Sequence, residues 1–181
     1  MALWIFGYGS LLWRPGFAFE ERRAAIVRGY ERRLDQGSPD HRGTPGRLGR
    51  VATLRPAPGA ACGGAVYRLA ERDAPAVLEA LDLREQGGYD RLELEAELVG
   101  GESGGEFPAR AVTAITWVAA PGNAYHLGPA PIEEMIAQIR AAVGPSGTNL
   151  EYALRLEGTL RTLGFEDPHV AAVAAALRTS A

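Results

Sequence analysis

The sequence predicts a mixed α/β fold of the α+β class, with strands in the first two-thirds of the chain and helices in the last third. Short apolar or alternating runs, bounded by glycine and proline, recur as far as Val118 and are typical of strands. Beyond Pro131 the apolar residues recur every three or four positions, as in amphipathic helices. A chain of 181 residues with 46% hydrophobic content suits one globular domain over residues 1–181, which can bury a core without disulfides or a structural metal.

The first predicted strand ends in a glycine turn that could bind a ligand. Residues 3–6 form an apolar run typical of a buried strand, and Gly7 and Gly9 flank Tyr8 where the run stops. Glycine at these positions permits a sharp turn and a close approach of the backbone to a ligand. The N–H groups of residues 9–11 then lack a ladder partner and could converge on a carboxylate or an oxyanion. A strand followed by an ordinary tight turn is the simpler interpretation.

Further strands are expected in the middle of the chain from their apolar or alternating composition. They cover residues 25–30, 51–54, 64–69, 90–98 and 109–118. A turn rich in proline, glycine and alanine is expected to separate the second of these from the third. Residues 39–50 have the polar, Gly- and Arg-rich composition of a solvated surface loop, and residues 100–108 form another loop.

Four helices are expected. Apolar residues recur with helical spacing over residues 73–83, and two glycines shortly afterwards supply the C-terminal break. The second helix begins at Pro131 and carries two glutamates in its first turn. A capping box at residues 148–151 starts the third helix, which continues to about Leu163. Residues 167–168 start a terminal helix.

The charged residues narrow the class of function. All 19 basic residues are arginine, which excludes a Schiff-base lysine and the lysine of a Walker P-loop. Residues 1–55 hold ten arginines against five acidic residues, although the whole chain has a formal net charge of −3. An Arg-rich first third within an acidic chain favours a small anionic ligand and argues against nucleic acid as a partner.

The single cysteine, Cys62, excludes an intrachain disulfide and a multi-cysteine zinc site. This composition fits a reducing compartment. The sequence shows no signal peptide and no apolar run long enough to span a membrane. We therefore expect a cytoplasmic location and no membrane partner.

Three short motifs are set aside. The pair Gly7-x-Gly9 lacks the third glycine of a dinucleotide fingerprint. Residues 101–105 match G-x-S-x-G, but they lie in a polar glycine loop without the strand and helix that frame a nucleophile elbow. The three histidines are far apart and lack metal-ligand spacing, so no metal and no cofactor is expected.

Glu85 is the carboxylate with the most unusual position. It follows the helix expected over residues 73–83, at an end where the helix dipole disfavours negative charge. The same dipole would raise the pKa of Glu85, which suits a group that accepts a proton and later returns it. The alternative interpretation is an exposed glutamate in a loop.

Taken in order, these segments resemble the ChaC-type gamma-glutamylcyclotransferases, the glutathione-degrading branch of the cyclotransferase superfamily. The similarity keeps its order over nearly the whole chain. The segments that carry it are Phe6-Gly-Tyr-Gly-Ser-Leu11 with Trp13, Arg33 with Gln36-Gly-Ser38, Asp40-His-Arg-Gly43, Gly49-Arg-Val51, Tyr67-Arg-Leu69, Leu81-Asp-Leu-Arg-Glu-Gln-Gly-Gly-Tyr89, Leu127-Gly-Pro-Ala-Pro131, Gly144-Pro-Ser-Gly147 and Asn149-Leu-Glu-Tyr152.

The resemblance implies a small central barrel-like sheet with helices packed outside it and one cavity. It implies an enzyme that converts glutathione to 5-oxo-L-proline and L-cysteinylglycine by attack of the substrate's own α-amine. Glu85 falls on the family's catalytic general acid and base. The residues that the resemblance implies for substrate binding are Ile5, Phe6, Gly7, Tyr8, Gly9, Ser10, Leu11, Gln36, Ser38, Arg42 and Tyr152.

The chain departs from the family pattern where Asp35 replaces an aromatic residue and Gly63 replaces a large one. Both changes bear on how the cysteinylglycine half of a substrate is held. Two other functions stay open: a cyclotransferase for other gamma-glutamyl amino acids or amines, and a non-catalytic regulator that binds a gamma-glutamyl group. We expect glutathione as the small-molecule partner and a monomer or weak homodimer.

Overall fold

The computed structural model describes residues 2–100, 110–119 and 121–179. Five of its strands form a closed barrel, and they are β1 Leu3–Gly7, β2 Glu21–Ser38, β3 Gly49–Leu69, β4 Tyr89–Leu98 and β5 Ala111–Ala119. They pair in the order β1-β3-β2-β4-β5, and the parallel pair of β1 with β5 closes the ring. The barrel implied by the family resemblance is therefore confirmed.

The helices lie where their capping and spacing signals predict them, within one or two residues. Their bounds are α1 Ala74–Arg84, α2 Ile132–Ala141, α3 Asn149–Thr162 and α4 Pro168–Thr179, and a 3₁₀ helix covers Ser10–Leu12. Two strands of two residues each, β6 Val143–Gly144 and β7 Gly147–Thr148, form a short hairpin. The Thr148 Oγ1 accepts the Glu151 N–H at 3.1 Å, as a capping residue should. None of the helices in the described ranges is long and apolar enough to cross a bilayer.

The prediction of a turn between residues 54 and 64 is wrong, because β3 runs through this segment as one strand of 21 residues. It pairs with β2, which is also far longer than the strand expected over residues 25–30. The pairing register shifts between Arg28 and Tyr30, and Pro56 is the partner of Tyr30 at that shift. Proline is tolerated in a strand at such an irregularity, and a bulge adds the bend that a small barrel needs.

The core fills the barrel and continues under the helices. Ile5, Phe6 and Tyr67 are fully buried inside the barrel wall, and α2, α3 and α4 add buried aliphatic residues outside it. Each such large apolar side chain contributes roughly 1.5–3 kcal/mol when it is fully buried. A side chain at Gly63 would place its Cβ 2.4 Å from the Phe165 ring, so Phe165 occupies the space that a large residue at position 63 would need.

The other expectations for loops have mixed outcomes. The segment expected over residues 39–50 as a solvated loop is partly buried, because Arg42, Gly43, Gly49 and Arg50 are inaccessible to solvent. The Asn149 side chain binds the backbone of Arg50 through both its oxygen and its nitrogen, at 2.6 and 2.7 Å. The G-x-S-x-G match at residues 101–105 and most of the loop expected over residues 100–108 lie outside the described residues.

Candidate active site

A cavity of about 360 Å³ lies where β1 ends, and Glu85 and the turn after β1 both line it. The two features that sequence reasoning singled out separately are therefore on the same cavity wall. The other walls come from the loop after β2, from β3, from the end of β5 and from α3. The lining residues used below are Tyr8, Gly9, Ser10, Leu11, Trp13, Arg14, Ser38, Asp40, His41, Arg42, Arg84, Glu85, Tyr89 and Tyr152.

The turn after β1 lines this cavity and contains backbone N–H groups that its own 3₁₀ helix does not use. The hydrogen bonds of the 3₁₀ helix begin with the N–H of Leu12, which donates to the Gly9 carbonyl at 3.0 Å. The amides of residues 9–11 precede that first bond, so the helix itself does not use them. A side chain at Gly7 would place its Cβ 2.9 Å from the Cβ of Leu11, so the tight turn requires glycine there.

Arg32 holds the backbone of this turn, and no motif in the sequence indicates that role. Its Nε donates to the Tyr8 carbonyl at 2.7 Å, and it also donates to the Gly63 carbonyl. Its guanidinium pairs with Asp167 at 2.6 Å, while Asp167 also accepts the Val170 N–H at the start of α4. The buried cation thus connects the terminal helix to the peptide between Tyr8 and Gly9, whose N–H is the first of these amides.

Glu85 ends α1 and points into a largely dehydrated site. Its N–H donates to the Leu81 carbonyl at 2.9 Å, and 19% of its side chain is exposed. Burial raises the pKa of Glu85, while the nearby charges of Arg84 and His41 act in the opposite direction. The predicted direction of the pKa shift is thus confirmed, but its main cause is loss of hydration rather than the helix dipole.

Arg84 connects Glu85 to the turn after β1. Its Nε lies 3.4 Å from the Glu85 Oε1. Its other nitrogens donate to the Ser10 Oγ at 2.8 Å and to the carbonyls of Arg14 and Pro15 at 3.0 and 3.1 Å. One guanidinium therefore sets the position of the carboxylate and of the segment that follows the turn.

Polar contacts also hold α1, in addition to the packing of its apolar residues against the core. Leu81 is its one fully buried residue. The Trp117 Nε1 donates to the Asp82 Oδ1 at 2.9 Å, and the Gln36 Nε2 donates to the Gly87 carbonyl at 3.1 Å. These hydrogen bonds fasten the two ends of the segment that carries Glu85.

Three tyrosines lie near Glu85, of which Tyr8 and Tyr152 are buried and Tyr89 is half-buried, and loss of hydration is the main reason that each has a raised pKa. The hydroxyls of Tyr8 and Tyr89 donate to the carbonyls of Trp117 and Ala52, at 2.6 and 2.8 Å. Tyr152 differs, because its hydroxyl oxygen accepts the Ala52 N–H at 3.0 Å and its own proton is left for another acceptor. Burial raises the pKa of Tyr152 to about 12, so it is a neutral donor at physiological pH.

Ser38 and Arg42 form another part of the cavity wall. The Ser38 Oγ accepts the backbone N–H groups of His41 and Arg42, at 3.3 and 3.0 Å, and so folds this loop back over the cavity. The Arg42 guanidinium lies 5.7 Å from the centre of the Tyr152 ring and pairs with Glu151 at 3.2 Å. Both residues line the cavity, as the resemblance implies.

Four residues that the resemblance implies for binding are not among those that line the cavity. Ile5 and Phe6 are fully buried in β1, and Gly7 ends that strand. Gln36 has no exposed surface, and its amide binds Gly87 and Asn123 instead. They lie in a layer behind the wall, where strand pairing and hydrogen bonding engage them, and their role in binding stays a prediction.

The site offers acid–base and hydrogen-bonding groups. Within the described ranges, no group of three or more His, Cys, Asp or Glu side chains is arranged to hold a metal ion. The amides at residues 9–11 and the Tyr152 hydroxyl can bind negative charge, and a carboxylate of raised pKa can exchange a proton. This combination suits proton transfer at a bound anionic molecule.

Comparisons with known proteins identify the family of this chain. A family model described as ChaC-like protein matches residues 3–180. The chain is 42% identical to gamma-glutamylcyclotransferase 2-3 of Arabidopsis thaliana, over 98% of this chain and 89% of that relative. It is 41% identical to the human glutathione-specific gamma-glutamylcyclotransferase 1, over 98% and 79%. A crystal structure of the yeast gamma-glutamyl cyclotransferase specific to glutathione superposes with a TM-score of 0.89 at 29% identity, over 98% and 96% of the two chains.

Proposed function

The chain belongs to the ChaC-like protein family, and from that membership we propose that it degrades glutathione to 5-oxo-L-proline and L-cysteinylglycine. The human and yeast relatives are both named as specific to glutathione, which supports this substrate over other gamma-glutamyl compounds. The observation that carries the proposal is the position of Glu85 on the same cavity as the amides of residues 9–11.

The reaction needs no second substrate. The α-amine nitrogen of the glutamyl group attacks its own γ-carbonyl carbon, and a new C–N bond closes a five-membered lactam. The C–N bond to cysteine then breaks and cysteinylglycine leaves as an amine. Because attacking and attacked atoms belong to one molecule, catalysis depends mainly on holding the chain in a bent form, and well-oriented closures reach effective molarities of ~10⁵ M or more.

Glu85 moves the proton. An α-amine has a pKa of about 8, so most of it is protonated at neutral pH and cannot attack. In the proposal the Glu85 carboxylate removes that proton and gives it to the departing cysteinyl nitrogen, and it then carries the second proton of the α-nitrogen to the same amine, so that two protons leave one nitrogen and two reach the other. Burial supports this role, because it raises the pKa of Glu85 towards the range in which one group can serve as both base and acid.

The remaining groups position the substrate. We assign the glutamyl α-carboxylate to the amides at residues 9–11, and the charge that develops on the γ-carbonyl oxygen to the Tyr152 hydroxyl. The assignment of Tyr152 rests on its hydroxyl proton, which Ala52 leaves free. One well-placed donor to a developing oxyanion contributes on the order of 3 kcal/mol to the transition state.

The variant Glu85→Gln tests the proposal. We expect it to fold and to lose nearly all release of 5-oxoproline from glutathione, measured by mass spectrometry. Because burial raises the pKa of Glu85, the folded state disfavours the ionised carboxylate. The stability of the wild type therefore falls as the pH rises through that pKa, and Glu85→Gln should have an equal or higher Tm at pH 7. Substantial 5-oxoproline release by this variant would refute the assignment.

The substrate range and the oligomeric state are expectations that simple measurements can test. Parallel incubation with gamma-glutamyl-alanine distinguishes a glutathione-specific enzyme from a broader cyclotransferase, and binding of glutathione without any product would indicate a regulator. We propose that the protein acts in the cytoplasm as one domain over residues 1–181. Light scattering of the purified protein would test the expected monomer or weak homodimer.

A further inference from the structure

We propose that Arg14, at the mouth of the cavity, binds the glycine carboxylate of glutathione and so favours substrates that carry a negative charge at that end. The inference rests on the proposed function and adds a residue that determines specificity. It concerns the glycine end of the leaving half, which neither Glu85 nor the turn after β1 contacts in the proposed arrangement.

Three arginines line the cavity, and two of them are already committed. Arg42 pairs with Glu151 and donates to the Thr148 carbonyl at 3.1 Å. Arg84 binds Glu85, Ser10 and two carbonyls. Arg14 is exposed, and within the described ranges no hydrogen bond or ion pair engages its guanidinium.

Glutathione brings more negative charge to this cavity than the other groups can pair. It carries one ammonium and two carboxylates at neutral pH. In the proposed arrangement the ammonium faces Glu85 and the glutamyl carboxylate takes the amides of residues 9–11. The glycine carboxylate is left, and a free guanidinium is the side chain best suited to bind it, through two parallel hydrogen bonds.

The spacing along the chain fits this assignment. The Arg14 N–H donates to the Ser10 carbonyl at 2.9 Å, so the backbone of Arg14 lies one helical turn, roughly 5–6 Å, beyond the amides. Two extended residues such as cysteinylglycine span at most about 7 Å. In a substrate bent for ring closure the γ-carbonyl lies close to the glutamyl carboxylate, so cysteinylglycine extends from a point near residues 9–11 over a length similar to the distance between the amides and the backbone of Arg14.

The side chain of Arg14 can be changed without disturbing the frame of the site. Arg84 binds Arg14 through its carbonyl, and a substitution of the side chain retains that carbonyl. The variant Arg14→Gln is therefore expected to keep the Tm of the wild type. Arg72→Gln is the matched control, because Arg72 is 87% exposed, pairs with Asp73 at 3.6 Å and is not among the lining residues.

The test compares glutathione with its glycine amide, in which the terminal carboxylate is neutral. For the wild type and Arg72→Gln we expect kcat/KM to be about tenfold to hundredfold higher for glutathione, the range of one charge-assisted hydrogen-bonded contact. For Arg14→Gln we expect the two values to agree within about threefold, with the loss on glutathione appearing mainly in KM.

Two outcomes would overturn the inference while leaving the proposed function in place: a wild type that shows no preference for glutathione over its glycine amide, or an Arg14→Gln variant that keeps the preference of the wild type, including by an equal loss on both substrates. Absence of 5-oxoproline from either substrate with the wild type would overturn the proposed function, and the inference with it. The amide therefore separates a role at the carboxylate from a general effect of charge or structure.

Discussion

Replacing Arg84 should change both the turnover and the pH dependence of the enzyme, and two variants separate the effects. Arg84→Met removes the charge and the hydrogen bonds. Arg84→Lys retains a charge near Glu85. It lacks the planar guanidinium that contacts Glu85 and at the same time donates to the Ser10 hydroxyl and to two backbone carbonyls. If one guanidinium positions both the carboxylate and the turn, the two variants will both lose turnover, but they will differ in the pH dependence of kcat/KM.

The expected magnitudes follow from these contacts. Either variant loses the connection between the end of α1 and residues 10–15, and a displacement of about 1 Å in a positioned site can cost roughly 10²-fold in rate. The charge of Arg84 now lowers the pKa of Glu85 against the effect of burial. In Arg84→Met that pKa rises further, so the acidic limb of the kcat/KM profile moves to higher pH, whereas in Arg84→Lys it stays close to that of the wild type.

The assay is 5-oxoproline release measured from pH 4.5 to 8.5 for the wild type, Arg84→Met, Arg84→Lys and Ser10→Ala. Ser10→Ala is the control, because it removes one hydrogen bond to Arg84 and leaves the pair with Glu85. Its rate should fall less and its profile should not move. A profile of Arg84→Met that coincides with the wild type would show that the ion pair does not control the charge of Glu85.

Two further predictions concern residues that support the site. Tyr152→Phe removes the acceptor of the buried Ala52 N–H, so the free energy of unfolding in urea should fall by about 1–3 kcal/mol, and kcat should fall at least tenfold if the hydroxyl donates to the oxyanion. Asp167→Asn keeps an oxygen for the Val170 N–H but removes the charge that pairs with Arg32, which should cost about 2–3 kcal/mol. Asp167→Ala should cost about 1 kcal/mol more, because it also removes the cap. Equal stabilities of the two Asp167 variants would contradict this division.

The helices were predictable from the sequence because their signals are local. The Thr148 cap and the start of α4 at Pro168 each depend on residues within one turn. The long strands were not, because proline and glycine at residues 56–64 resemble a turn when the pairing with β2 is unknown. The barrel entered only through the family resemblance, and the order of its strands was not predicted, since alternation within a strand does not specify its neighbours.

The residues of the site also divide into those with a local sequence signal and those without one. Glu85 and the glycine turn have local signatures, and their proximity is a property of the fold. Arg32 and Asp167 are 135 residues apart, and nothing in either segment indicates that they pair behind Tyr8. Arg84 is adjacent to Glu85, but its acceptors lie about 70 residues away, so its role could not be recognised from the motif that contains it.

The attachment of α1 explains how a carboxylate can be both dehydrated and usable. Close apolar packing around Glu85 would leave a buried charge without partners, at a cost of several kcal/mol. The structure instead fastens α1 through Asp82, Arg84 and the Gly87 carbonyl, and leaves a cation beside the carboxylate. The contacts that position Glu85 are therefore also contacts that set its charge. A substitution that loosens this segment should consequently alter the pH dependence along with the rate, whereas a substitution in the barrel core should alter stability first.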